Sequence, residues 1–510
     1  MQQSSGNTRI AKNTLFLFLR TLLVLGVSLY TSRVVLQTLG AEDFGIYNIV
    51  GGVVVLFAFI SNAMATGTQR HITFELGRKN GDVKKIFSAC LVVHLWLSLI
   101  VLVLAETIGL WFLNTKMNFP QGSMPVVNIV YQFSIITCIA GIIKVPYNAA
   151  IIAYEKMSFY AYLGIAETIL KLVIVYLLAL SPKNQLQIYS LLVFLVSAFI
   201  LGVYYLYCKN KFPEIRLCKV NDRTCYKQIV LFSGWTMFGS AANMGVQQGL
   251  NIIINLFYGV VVNAAVGIAN QVNSAVLQFV ASFQQALNPQ LVKSYAEDDK
   301  ERLFDLIQKS AKFSYFILLI ISLPMLVNMD QVLGIWLGSY PPHTGALCRI
   351  ILIGALIECI SGPLWVTIFA TGRIKVYQFV ISFILLLNLP LSYIGGLYGM
   401  TSETMFCIRN IIYIFAFIAR LVFLKYMIGI SLRIFGMRVI MPCLIVTALL
   451  MLSIHTLYYF ISVAQNFQQL CLQTAIIVLA VTIVILYVGL QSQERRFIIN
   501  TMKAKLFRKF

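Results

Sequence analysis

The sequence predicts an all-α polytopic membrane protein of about 14 transmembrane helices. Two six-helix lobes are related by a pseudo-twofold along the membrane normal, and two further helices follow. Three observations predict this. Of 510 residues, 59% are hydrophobic and only 11% charged, with a mean hydropathy of +0.84; a soluble domain carries about 25% charged residues. Long apolar runs alternate with short polar ones, and hydrocarbon gives a backbone no hydrogen-bond partner, so the runs read as helices. The third observation is an internal repeat.

The repeat is carried by PYNAAIIAYEKMSFYAY at Pro146–Tyr162 and PLWVTIFATGRIKVYQF at Pro363–Phe379. Pro146/Pro363, Ile151/Ile368, Ala153/Ala370, Lys156/Arg373 and Tyr160/Tyr377 match in register without a gap. A second match, GLWFL at Gly109–Leu113 against GIWLG at Gly334–Gly338, comes in the same order at nearly the same offset. Each copy follows an acidic residue, Glu106 or Asp330. The order of the matches argues for a duplicated chain.

Taken in order, spans 1 and 2 are expected at 13–37 and 47–66, joined by a turn at LGAEDFG. Span 3 ends near Trp111. Span 4 starts near Pro125 and is expected to stop near Lys144, because Pro146 cannot continue a helix without strain. Spans 5 and 6 follow at 159–180 and 187–207. The second half repeats the scheme at 229–256, 261–287, 313–337, 346–370, 377–398 and 404–426. Spans 13 (440–460) and 14 (470–490) have no counterpart. The expected domains are an N-terminal lobe 1–208, a basic linker 209–228, a C-terminal lobe 229–426, two extra spans within 427–490, and a basic tail 491–510. In the tail Ile498, Met502, Leu506 and Phe510 recur every fourth residue, as on a helix lying at the inner leaflet.

A net charge of +21 invites a nucleic-acid reading. Its placement answers that: Lys and Arg crowd alternate loops, such as Arg70–Lys85 and Lys209–Lys227, as the positive-inside rule demands. Both termini are then cytoplasmic. No cleavable signal peptide is expected, since span 1 is too long and carries Arg20 and Arg33. The ten cysteines are scattered and form no CxxC pair, so no metal site is expected. No GxxxxGK[ST] loop is present, which argues against ATP hydrolysis, and no cofactor is expected. Outer loops are too short for a catalytic domain, so the chain does not read as an enzyme.

The strongest chemical signal is polar residues at helical spacing. Thr236, Ser240, Asn243, Gln247, Asn251 and Asn255 run down span 7. Asn263, Gly267, Asn270, Ser274, Gln278, Gln285 and Asn288 do the same on span 8. Buried amides are costly without partners; the stripes therefore line a wet cavity or serve as interhelical glue worth about 0.6 kcal/mol per contact. Span 2 has a thinner stripe with Asn48 and Asn62. At an offset of 222, Asn48 falls on Asn270 and Arg33 on Asn255. Spans 1, 2, 7 and 8 thus read as equivalent cavity walls, and Arg20 and Arg33 belong to them.

Other intramembrane charges divide by depth. Lys144 and Arg420 lie where they can snorkel. Glu106, Asp330, Arg349 and Arg409 sit near outer ends, where structural and functional roles weigh alike. Glu167 and Lys171 are spaced for an i,i+4 pair; with Glu358 they are the candidates for ion coupling. His94 and His455 read as packing residues. The set leans basic, which suits an anion, because arginine forks match phosphate oxygens. Amides suit sugar hydroxyls.

RVVLQTLGAEDFGIYNIVGG (33–52), the doubled six-helix plan, the two extra spans and the basic loop between halves resemble the polysaccharide-biosynthesis flippases. These belong to the multidrug/oligosaccharidyl-lipid/polysaccharide exporter superfamily. The resemblance covers nearly the whole chain, and Leu39–Asn48 is its most specific piece. It implies a V-shaped two-lobed fold and spans 1, 2, 7 and 8 around a central cavity. It also implies flipping of undecaprenyl-diphosphate-linked oligosaccharide repeat units across the bacterial inner membrane, for O-antigen, capsule or a related polymer, by alternating access. The same resemblance makes Arg20 and Arg33 the nearest candidates for the diphosphate. Proton or sodium coupling and a monomeric state are expected. The alternative is a cation-coupled multidrug antiporter of the same superfamily, which would use Glu167 and Glu358.

The charge asymmetry makes one firm prediction. Alkaline phosphatase, active only outside the cytoplasm, should be inactive when fused after Phe510. An active fusion would overturn the assigned orientation.

Overall fold

The computed structural model describes residues 2–116, 122–179, 184–460 and 467–496. Within the first helix many side chains, those of Arg33, Asn48 and Asn62 among them, lie outside the described residues, as do His455 and the tail stripe from Ile498 to Phe510. The described chain is helical and contains no strand. Twelve helical segments within it are long and apolar enough to cross a membrane, and they fall on spans 3 to 14. Spans 1 and 2 both lie in α1 (Gln2–Gly77). The protein is a multi-pass membrane protein.

The LGAEDFG turn expected between spans 1 and 2 is helical in backbone instead. No proline interrupts residues 2–77, so no donor is missing from the ladder. The chain continues as α2 (Val83–Leu104), α3 (Leu110–Lys116), α4 (Met124–Ala153), α5 (Met157–Ala179) and α6 (Gln185–Lys211). Then come α7 (Arg223–Ala296), α8 (Lys300–Val327), α9 (Met329–Leu337), α10 (Thr344–Cys359), α11 (Ser361–Ala370) and α12 (Lys375–Leu386). Last are α13 (Asn388–Leu397), α14 (Ser402–Ile428), α15 (Leu432–Phe435), α16 (Met441–Phe460) and α17 (Phe467–Val484).

By its contacts the chain forms two compact units. Unit 1 comprises residues 1–240 and 285–299, unit 2 residues 241–284 and 300–510. In unit 1, Val35, Leu39, Ile46 and Val50 of α1 pack into a core with Val130, Tyr131 and Ile135 of α4 and Val175 of α5. A second cluster joins Phe87 and Leu91 of α2, Ala150 and Ile151 of α4, and Ile200 and Tyr204 of α6. Between α2 and α3 the helix widens into a π turn, Ala105–Gly109. Such turns disturb the carbonyl ladder; the Tyr131 hydroxyl donates to the Ala105 carbonyl at 2.8 Å. Asp222 caps α7, accepting from the amides of Thr224 and Cys225 at 2.9 and 3.3 Å. Lys85 donates to the same carboxylate at 2.9 Å, and this bond with those amides holds it below the usual carboxylate range.

Proline acts differently in the two copies of the repeat. Contrary to the sequence expectation, α4 runs through Pro146 to Ala153. Tyr147, Ala149, Ala150, Ile151 and Ala153 are all buried beyond it, and that packing outweighs one lost hydrogen bond. Near Pro363 the hydrogen-bond ladder is interrupted at Ile360, between α10 and α11, although the backbone there stays helical at φ −64° and ψ −30°. A second interruption separates α12 from α13 at Leu387, also helical in backbone, where Pro390 cannot donate to the carbonyl of Leu386.

Unit 2 is built on one large core of α7, α8, α10, α14, α16 and α17, including Val266, Leu319, Leu352, Phe406, Val446 and Val481. Gly259 interrupts α7 with φ 77° and ψ −175°, a region only glycine occupies without strain, and spans 7 and 8 part there as expected. Large apolar side chains such as Ile252, Phe383, Phe415 and Leu479 are exposed, as a lipid-facing surface requires. Deep in the unit, Lys312 of α8 donates to Glu494, beyond α17, at 2.6 Å; their side chains are 3% and 7% exposed. The amide of Gln491 also donates to Glu494, at 2.9 Å.

Breaking one side of that pair leaves a buried charge alone. Lys312→Met should lower the unfolding midpoint of the purified protein, the loss being about 3–5 kcal/mol for a broken buried pair. Lys312→Met with Glu494→Met should recover most of it. Equal midpoints for the single and double variants would refute the pair's role.

Candidate functional site

A polar cavity of about 200 Å³ lies inside unit 2. Asn243, Gln247 and Asn251 reach it from before the Gly259 break in α7, four residues apart and so on one helix face. Asn270 and Asn273 reach it from beyond the break, Glu358 from α10, Asn388 from α13, and Arg409 and Tyr413 from α14. Six of these nine side chains are amides.

Not every intramembrane amide serves this cavity. Gln284, next to the span 8 stripe, is glue: its Nε2 donates to Ser314 Oγ at 3.0 Å and to the Cys359 carbonyl at 2.9 Å. Gly362 makes room for it, since a Cβ there would collide with the Gln284 amide. Asn410 likewise donates to the Ile350 carbonyl at 2.9 Å, over Gly354.

The charges of unit 2 sort by partner. Arg349 donates to Asp330 at 2.7 Å and to the Leu326 carbonyl at 3.1 Å. Arg420 donates to Glu358 at 2.9 Å; the arginine side chain is 5% exposed, whereas the carboxylate is 36% exposed. Glu358 thus faces the cavity already neutralised. Arg409 packs between two rings, 4.7 Å from the Phe406 centroid and 5.5 Å from that of Tyr413. Its Nε is buried with no acceptor.

In unit 1 a second charged cluster forms on α1, α4 and α5. Glu167 accepts from Lys171 at 2.8 Å and lies 3.5 Å from Lys144. Arg20 lies 4.6 Å over the Tyr160 ring, and Gly164 leaves the space its guanidinium needs. Two basic groups, Lys144 and Lys171, thus face one carboxylate, and Arg20 adds a third cation on the same stretch of α5. His94 is buried and bonded to the Cys90 carbonyl at 2.8 Å, as a packing residue would be.

Of the sequence candidates, the cavity gathers Asn243, Gln247, Asn251, Asn270 and Glu358. Asn255, Ser274, Gln278 and Gln285 are not in its lining; Ser274 instead bonds back to the Asn270 carbonyl at 2.8 Å. Arg20, Glu167 and Lys171 belong to the unit 1 cluster. Arg33, Asn48 and Asn62 lie outside the described side chains. Sequence reasoning did not place Asn273, Asn388, Arg409 or Tyr413 in the cavity. Asn273 stands three residues after Asn270 and could have been found by the same spacing. For Arg409 no sequence signal separates it from Arg349.

Comparison with known proteins settles the family. The family model for polysaccharide biosynthesis proteins matches residues 10–295, more than half of the chain. The chain belongs to the polysaccharide biosynthesis protein family. The MatE family model matches residues 236–394 of this family member. No curated protein sequence matches it. Solved structures share its fold at low identity. A MATE transporter in the straight conformation aligns with TM-score 0.70 at 13% identity, over 83% of this chain and 96% of that one. A mutant of a Vibrio cholerae MATE transporter aligns with TM-score 0.66 at 14% identity, over 83% and 97%. A MOP superfamily transporter from Pyrococcus furiosus, described as having a binding pocket of reverse polarity, aligns with TM-score 0.65 at 12% identity, over 82% and 96%. This polysaccharide biosynthesis protein has the MATE-like fold of those transporters.

The cavity amides and the packing amides should differ in access to water. In a background lacking the ten native cysteines, Asn243→Cys and Gln247→Cys should react with a membrane-impermeant maleimide, and Gln284→Cys should not. Labelling of Gln284→Cys alone would reverse the assignment.

Proposed function

We infer that the protein flips polyprenyl-diphosphate-linked oligosaccharide units across the bacterial inner membrane, exposing its cavity alternately to the two sides. The observation that carries this reading is the pairing of the two carboxylates that are candidates for ion coupling. Glu358 is held by Arg420, and Glu167 by Lys171 and Lys144. A drug/cation antiporter needs an acid free to take a cation; neither of these two is free, and the groups left over in the unit 2 cavity are amides and a guanidinium. Amides give and accept hydrogen bonds in the pattern sugar hydroxyls require. Arg20, held over Tyr160 in unit 1, is the candidate for the diphosphate, a role in which arginine's fork is apt. The family match over residues 10–295 supports the same substrate class.

The MatE match over residues 236–394 keeps a multidrug antiporter as the second reading. For that reading Glu358 would have to leave Arg420 during the cycle.

A deletion strain should accumulate lipid-linked oligosaccharide, and the wild-type chain should relieve the accumulation. Arg20→Gln should restore export at least tenfold less well. Unchanged lipid-linked pools in the deletion strain, together with efflux of cationic dyes by the purified protein in vesicles, would establish the antiporter instead.

A further inference from the structure

The arginine at the wall of the unit 2 cavity stands apart from its neighbours. Lys312, Arg349 and Arg420 of this unit are each paired with an acid, at 2.6, 2.7 and 2.9 Å. Arg409 has no carboxylate and no carbonyl within hydrogen-bond distance among the described residues, although it is only 9% exposed. Two aromatic faces hold the guanidinium from the sides, which supports a cation without consuming its N–H groups. A buried guanidinium with spare donors is costly to keep unless something of opposite charge arrives.

The cavity is suited to receive such a group. The one carboxylate in its lining, Glu358, is already engaged by Arg420, so a second negative group meets a guanidinium rather than a free acid. Asn270, Asn273 and Asn388 share the cavity lining with Arg409, and Asn273 Oδ1 is itself buried without a partner. An unpaired acceptor and an unpaired donor in one lining fit a ligand that carries both an oxyanion and hydroxyls. The volume of about 200 Å³ equals roughly six or seven waters, which is room for one sugar ring and not for a repeat unit.

We propose that this cavity is an oxyanion subsite in which Arg409 binds the carboxylate of one acidic sugar while the surrounding amides take its hydroxyls. The proposal deepens the flippase reading and rests on it: it makes a uronic-acid-type residue part of the carried headgroup. A free inorganic oxyanion offers the same chemistry, so the test separates the two sources.

The full-length protein, purified in detergent, is titrated with glucuronate, with glucose and with inorganic phosphate while its unfolding midpoint is followed. Glucuronate should raise the midpoint saturably, at concentrations at least tenfold below those of glucose. Arg409→Gln should remove that preference, and Arg409→Lys should keep part of it. Phosphate acting as strongly as glucuronate would assign the site to a free oxyanion; glucuronate acting alone would assign it to the sugar. No midpoint shift with either anion, or an equal shift in Arg409→Gln, overturns the proposal. Should Arg409→Gln fail to fold, phenylglyoxal modification of Arg409 in the wild-type chain must be slowed by glucuronate or phosphate and not by glucose. Equal modification throughout overturns the subsite. A failed subsite in a strain whose lipid-linked oligosaccharide is still cleared would leave the flippase reading standing.

Discussion

Hydrocarbon has no hydrogen bonds to offer, and every polar group in this protein is placed under that constraint. The backbone answers with helices. Side chains answer in three ways, and the three can be told apart. Gln284 and Asn410 spend their amides on carbonyls of adjacent helices. Glu358, Glu167 and Asp330 are consumed by basic partners. What is left, chiefly the amides around the unit 2 cavity with Arg409, and Arg20 in unit 1, has no internal use of comparable strength. Function is read from that remainder.

The same constraint explains how much could be read beforehand. Spans show in sequence because twenty apolar residues in a row have few other fates. Spans 3 to 14 accordingly overlap the runs that predict them, although span 9 lies earlier, at Lys300–Val327, and span 4 runs on to Ala153; the break between spans 7 and 8 falls at Gly259. Amide stripes were visible because α-helical spacing puts residues four apart on one face. Whether an amide is glue or lining was not visible. Gln284 and Gln285 are neighbours in sequence, yet the first is tied to Ser314 and Cys359 by contacts 30 and 75 residues away.

Pairing was equally hidden. Arg420 finds Glu358 62 residues earlier, and Arg349 finds Asp330 19 residues earlier. Depth in the membrane could not tell Arg349 from Arg409, although one is neutralised and the other is not. Proline misled in one place: Pro146 and Pro363 match in register, the second lies beside an interruption of the hydrogen-bond ladder, and neither ends its helix. Buried residues follow both prolines, Tyr147 to Ala153 in one copy and Leu364 to Ala370 in the other, a tertiary property that no local rule reports. Small residues were just as silent. Gly362 and Gly354 look like ordinary span glycines until the amides seated over them are seen.

The bond between Lys312 and Glu494 sets an order of events during biogenesis. The lysine is synthesised 182 residues before its counter-charge. Until α17 and the turn after it have been made, the ammonium of Lys312 has no acid beside it, so this contact closes only after α17 is in place.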